Sequence, residues 1–97
     1  MIRHTVVFRF VEGTDPSEVE ALAAALRELP DTIDGILDYR VGPDLELRDT
    51  NAHFAVVADF TDEDAFLLYS AHPDHLEVIR THVEPIAAER HAVQFRC

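Results

Sequence analysis

Apolar and polar residues alternate at the start of the chain. Ile2, His4, Val6, Phe8 and Phe10 fall on one face, and Arg3, Thr5, Val7, Arg9 and Val11 on the other. A period of two predicts a strand over residues 2–11. Its second face mixes polar with apolar, which suits solvent or a partner sheet. After Glu12-Gly13-Thr14 the period changes. Asp15-Pro16-Ser17-Glu18 has the form of a helix start, with a capping aspartate, a first-turn proline and the glutamate of a capping box. Val19, Leu22, Ala23, Leu26 and Leu29 then share one helical face, and Pro30-Asp31 predicts the end.

Residues 35–47 predict a second strand interrupted at Gly42-Pro43, and a proline there implies an edge or a bulge. Leu47-Arg48-Asp49-Thr50-Asn51 predicts a turn, and residues 52–60 a third strand, antiparallel to the second. Thr61-Asp62-Glu63-Asp64 caps a short helix through Tyr69 and Ser70. His72-Pro73-Asp74-His75 breaks it and starts another, on which His75, Ile79, His82 and Ile86 form one stripe, with a kink expected at Pro85. Residues 91–96 predict a closing strand.

The order β-α-β-β-α(α)-β is that of the split βαβ, ferredoxin-like α+β fold, with a four-stranded antiparallel sheet carrying helices on one face. The other face needs cover, so a homodimer is expected. At 97 residues the chain is one domain, 1–97.

Charge narrows the partners. Nineteen acidic residues against eight basic ones, all of them Arg, leave a net −11. Such a surface repels phosphate backbones and anionic lipid, so neither nucleic acid nor membrane is an expected partner. No apolar run approaches the roughly 20 residues of a membrane span, and the N-terminus reads as a strand rather than a signal peptide. A cytoplasmic location follows as the expectation. Cys97, the lone cysteine, forms no internal disulfide.

The segment Tyr69-Ser70-Ala71-His72-Pro73-Asp74-His75 resembles the Tyr-x-x-His-Pro-x-His segment of the stress-responsive A/B barrel (Dabb) family. The opening Ile2-Arg3-His4-Thr5-Val6-Val7-Phe8-Arg9-Phe10 is similar to that family's first strand, and the element order matches throughout. The resemblance implies a dimeric α/β barrel whose two sheets pack through their helix-free faces. The best understood enzyme with this segment is a polyketide cyclase that closes a linear chain by an aldol reaction. By that likeness Tyr69 and His75 are the catalytic pair, and His4 lines the same cavity. One position departs: Gln94-Phe95 stands where the family often carries Asp before an aromatic residue, which removes a carboxylate able to orient a catalytic His.

The residues themselves are compatible with this chemistry. His75 lies one turn into its helix on the apolar side, where the helix dipole and burial both favour neutral imidazole, the form a general base needs. Tyr69 can donate to a carbonyl oxygen as charge develops on it. Val6, Phe8 and Ile79 supply apolar wall for a small carbonyl compound, and His72 is a further ligand-side candidate whose main expectation, beside Pro73, is a structural cap. No cofactor is expected. No metal site is expected either, because Pro73 breaks the regular spacing of His72 and His75 and no carboxylate joins them. Haem-degrading and quinol-forming monooxygenases on related folds lean on Trp or Asn, whereas here Trp is absent and the one Asn is Asn51, in a turn. Two functions therefore stand: a cofactor-free cyclase, isomerase or lyase, or a non-catalytic stress-responsive or small-molecule-binding protein in which the same pocket holds a ligand or is merely packed.

Overall fold

A computed structural model describes all 97 residues. The elements are β1 (Ile2–Phe10), α1 (Pro16–Thr32), β2 (Ile36–Pro43), β3 (Phe54–Phe60), α2 (Glu63–Ala71), α3 (Pro73–Val78) continued by a π-helical turn (Ile79–Val83), and β4 (Ala87–Arg96). The four strands form one antiparallel sheet in the order β2-β3-β1-β4. This is the ferredoxin-like arrangement expected from the element order.

The alternation in β1 does what its period implies. Ile2, His4, Val6 and Phe8 are buried beneath the helices, while the residues between them are only half-buried. Leu22, Ala23, Leu26 and Leu29 of α1 close the core from above. The capping box forms: the Asp15 carboxylate accepts from Ser17 N–H at 2.8 Å, and Glu18 reaches back to Asp15 N–H.

Beyond shifts of one or two residues at the ends of β1, β2 and β3, four features differ from the sequence expectation. First, α1 runs through Pro30 to Thr32. Pro30 removes one backbone donor only two residues before the helix end, and burial of Leu29 and Ile33 holds the last turn, closed by Ile33 N–H on Leu29 O. Second, β2 stops at Pro43 rather than continuing to residue 47. As an edge strand it can end on a proline. Asp44 then organises a loop, its carboxylate accepting from Glu46 N–H and from the Asn51 side chain, and Leu45 and Leu47 are exposed. Third, the last helix widens into a π turn ahead of Pro85 instead of kinking at it. Pro85 has no N–H for the carbonyl four residues back, and Glu84 N–H bonds Ile79 O, five residues back, at 2.9 Å. Fourth, β4 begins at Ala87, pairing with Phe10, not at His91. Its mixed sequence Ala87-Ala88-Glu89-Arg90 hides the strand.

The face of the sheet away from the helices is open. Thr5, Val7, Ala55 and Val57 lie on it beside Val93 and Phe95, which are 55% and 46% exposed. Across the two central strands, near their ends, Arg3 grips Asp59 with two bonds of 2.7 and 2.8 Å, which holds the Asp59 carboxyl below its ordinary range. No helix is long and apolar enough to cross a membrane.

Candidate active site

Between the helix-covered face of the sheet and α3 lies a cavity of about 300 Å³. The floor is His4, Val6 and Phe8 of β1 with Val56 of β3, and Leu26, Ile79 and Val83 form the roof. Tyr69 at the end of α2 and His75 at the start of α3 close one side, and Ala92 and Arg90 of β4 the other. The Tyr69 and His75 rings sit 4.2 Å apart, centroid to centroid. Six of the residues singled out in the sequence thus meet here: His4, Val6, Phe8, Tyr69, His75 and Ile79. The π turn borders the cavity through Ile79 and Val83, a common place for such a turn.

His72 lies outside the cavity. Its Nδ1 accepts from Asp74 N–H at 3.1 Å and caps α3. Pro73 sets this position: the preceding residue is held extended, which leaves its side chain free to turn back on the first helical N–H.

The two cavity histidines are held in opposite tautomers. His75 Nδ1 is 3.2 Å from the Ser70 carbonyl, which can only accept, so Nδ1 carries the proton and Nε2 keeps its lone pair. His4 Nδ1 is 2.8 Å from the Gln94 side-chain nitrogen, which donates, so its proton sits on Nε2. Burial pushes His4 down to about 4, with the nearby His75 acting in the same direction. Burial also lowers His75, partly opposed by its bond to Ser70, with Arg90 and His72 lowering it further. Both rings are therefore neutral near pH 7, one an acceptor and the other a donor.

Tyr69 is 2% exposed, and its hydroxyl lies 2.8 Å from that of Tyr39 on β2. Burial pushes Tyr69 up to about 12 and Tyr39 higher still. Tyr69 therefore stays a protonated phenol. Either hydroxyl can donate in their shared bond, and when Tyr39 donates, the Tyr69 proton is free for a group in the cavity.

Two participants, Tyr39 and Arg90, escaped the sequence reading. Gln94, marked there only as standing in place of a carboxylate, is the partner of His4 because the two residues pair across β1 and β4. Tyr39 reaches Tyr69 from a strand whose alternation is weak. Arg90 belongs to the unrecognised start of β4. A larger open groove of about 760 Å³, between the start of α1 and the loop after β2, offers less chemistry. Its one histidine, His53, already accepts from Phe10 N–H. No three His, Cys, Asp or Glu side chains converge on a metal position.

The sequence profile described as the stress responsive A/B barrel domain, Dabb, matches residues 2–97. The chain belongs to the Dabb family. A dimeric ferredoxin-like protein of unknown function from Thermobifida fusca YX is 42% identical, with 99% of this chain and 90% of that one covered and a TM-score of 0.91. A Dabb family protein from Mesorhizobium loti is 23% identical over 99% and 95% of the two chains, with a TM-score of 0.81. The hydroxynitrile lyase of Passiflora edulis shares the fold at 18% identity, 97% and 90% coverage and a TM-score of 0.84. No functionally curated protein matches. Within this Dabb chain, the His-Pro-x-His segment divides its labour: His72 caps the helix, and His75 enters the cavity.

Proposed function

We propose that this Dabb protein is a homodimeric, cofactor-free acid–base enzyme acting on a small apolar carbonyl compound. The observation that carries the reading is the pair of neutral histidines with opposite tautomers in one apolar cavity. His75 Nε2 takes a proton from the carbon next to the carbonyl, or from a hydroxyl. The Tyr69 phenol and His4 Nε2–H then donate to the oxygen on which negative charge collects. The apolar walls exclude water and strengthen those bonds. This set supports aldol-type cyclisation, isomerisation and lyase chemistry alike. The Passiflora hydroxynitrile lyase is a lyase on the same fold, but at 18% identity it informs the fold alone. The Thermobifida relative is dimeric, and the apolar open face of this sheet suits the same assembly.

The test is exchange of carbon-bound hydrogen for deuterium, followed by proton NMR across a panel of apolar ketones and aldehydes. His75→Ala is expected to lower the rate of any accepted compound by about 10²-fold or more, and Tyr69→Phe by a smaller factor. Unchanged rates in both variants would remove the assigned roles. Saturable binding with no exchange and no turnover would make the protein a binder that uses the same pocket.

A further inference from the structure

Arg90 is out of keeping with its surroundings. The chain carries nineteen carboxylates and eight arginines. Arg3, Arg40, Arg80 and Arg96 are paired with Asp59, Asp38, Glu77 and Glu63. Arg9 and Arg27 donate to backbone carbonyls. Arg48 lies in an exposed loop. Arg90 alone lines the cavity, and it bonds to no carboxylate and no carbonyl of the chain.

Its direction follows from the sheet register. Arg90 pairs with Phe8, whose side chain is buried under the helices, so Arg90 projects to the cavity side of β4. It is exposed, which places its guanidinium at the solvent edge of the cavity rather than inside. No carboxylate is among the lining residues, and the inner polar groups, His4, Tyr69 and His75, are uncharged. The cavity is thus apolar and neutral within, and it carries one unneutralised positive charge at its rim.

We propose that the ligand of this cavity is a carboxylate on a small apolar body, its charge held by the Arg90 guanidinium at the rim and its body lying against Val6, Phe8 and Ile79. Guanidinium matches a carboxylate with two parallel donors, and Arg90 is the one arginine that brings them to this cavity. This deepens the functional reading and rests on it: a carbonyl next to His75 and a carboxylate at Arg90 belong to one molecule, an oxo acid with an apolar chain or ring.

Titration with matched probes tests it. Cinnamate is compared with cinnamamide, and hexanoate with hexanamide, following the imidazole resonances of His4 and His75 near neutral pH. Each acid is expected to bind on the order of tenfold more tightly than its amide, the gain of a charge-assisted bond. The advantage should shrink as salt is added. Arg90→Gln is expected to bring acid and amide to parity, while Arg90→Lys keeps part of the difference. Arg90 is exposed, so these variants fold. Equal affinities in the native protein, or an advantage that survives Arg90→Gln, would overturn the carboxylate assignment and leave the cavity reading intact. Probes that bind in neither form and move neither imidazole would overturn both.

Discussion

Gln94 donates its side-chain amide to Nδ1 of His4 across the β1–β4 pair, at 2.8 Å. That single bond determines which nitrogen of His4 faces the cavity as a donor. A carboxylate in the same place would do the opposite. Gln94→Glu keeps the length of the side chain but replaces a donor with an acceptor, so His4 must move its proton to Nδ1 or take a second one. The His4 imidazole, now near 4, is expected to titrate one to three units higher in this variant. Nitrogen-15 shifts of the ring should report the exchange of tautomers. Where the proton moves to Nδ1, turnover should fall by about a hundredfold as a donor to the oxyanion is lost; where a second proton is taken, Nε2 keeps its donor and the raised titration alone reports the change. Unaltered His4 shifts in Gln94→Glu would contradict the assignment.

Acid should destabilise the protein earlier than its carboxylates alone require. In the unfolded chain the His4 imidazole takes a proton near 6.5, but in the fold it resists until about 4. Between those values the unfolded state holds the extra proton, so stability falls as pH falls through that window and is complete above it. The gap is worth on the order of 3 kcal/mol. His75, also lowered by burial, adds in the same direction. Below the window, loss of charge on Asp59, held low by Arg3, continues the decline. Urea midpoints measured from pH 7 downward should drop across this range, and less steeply in His4→Gln. A midpoint flat down to pH 5 would be incompatible with neutral buried histidines.

The Tyr39–Tyr69 hydroxyl pair predicts a coupling. Tyr39→Phe leaves the buried Tyr69 hydroxyl without its partner at a cost of about 1–2 kcal/mol. Tyr69→Phe strands Tyr39 in the same way. The double variant removes both polar groups, so its loss should be well below the sum of the two single losses. Urea denaturation of the four proteins measures the cycle. Additive losses would mean that the bond contributes nothing.

These interactions separate what can be read along the chain from what cannot. The β1 alternation, the Asp15–Glu18 capping box, the Asp62 cap and the break at His72-Pro73 are local, so their residues announce them. His4, Tyr69 and His75 were marked by a segment pattern and by position on an apolar face. Gln94 was marked only as a missing carboxylate and not as the partner of His4, ninety residues away, and Tyr39, thirty residues from Tyr69, was not marked at all. Only strand register and helix docking bring them together. The missed boundaries have a similar cause. Pro30 is tolerated because buried neighbours hold the turn around it, and the polar start of β4 is a strand because β1 supplies its partner.

The open face of the sheet carries the last prediction. Gln94 lies with His4 on the helix-covered side of the sheet, and by the period of a strand its neighbours Val93 and Phe95 point away, onto the exposed apolar face. If a second copy covers that face, a charge placed there must be buried at a cost of several kcal/mol. Val93→Asp or Phe95→Glu should therefore yield a monomer at micromolar concentration by light scattering, while the native protein stays dimeric. Because Gln94 sits between the two substituted positions, dissociation should also loosen β4 and shift the His4 imidazole resonances. Assembly and donor geometry would then be linked through one strand. A native protein that scatters as a monomer would contradict the assembly. A monomeric variant with unmoved His4 resonances would show that β4 holds Gln94 in place without a partner sheet.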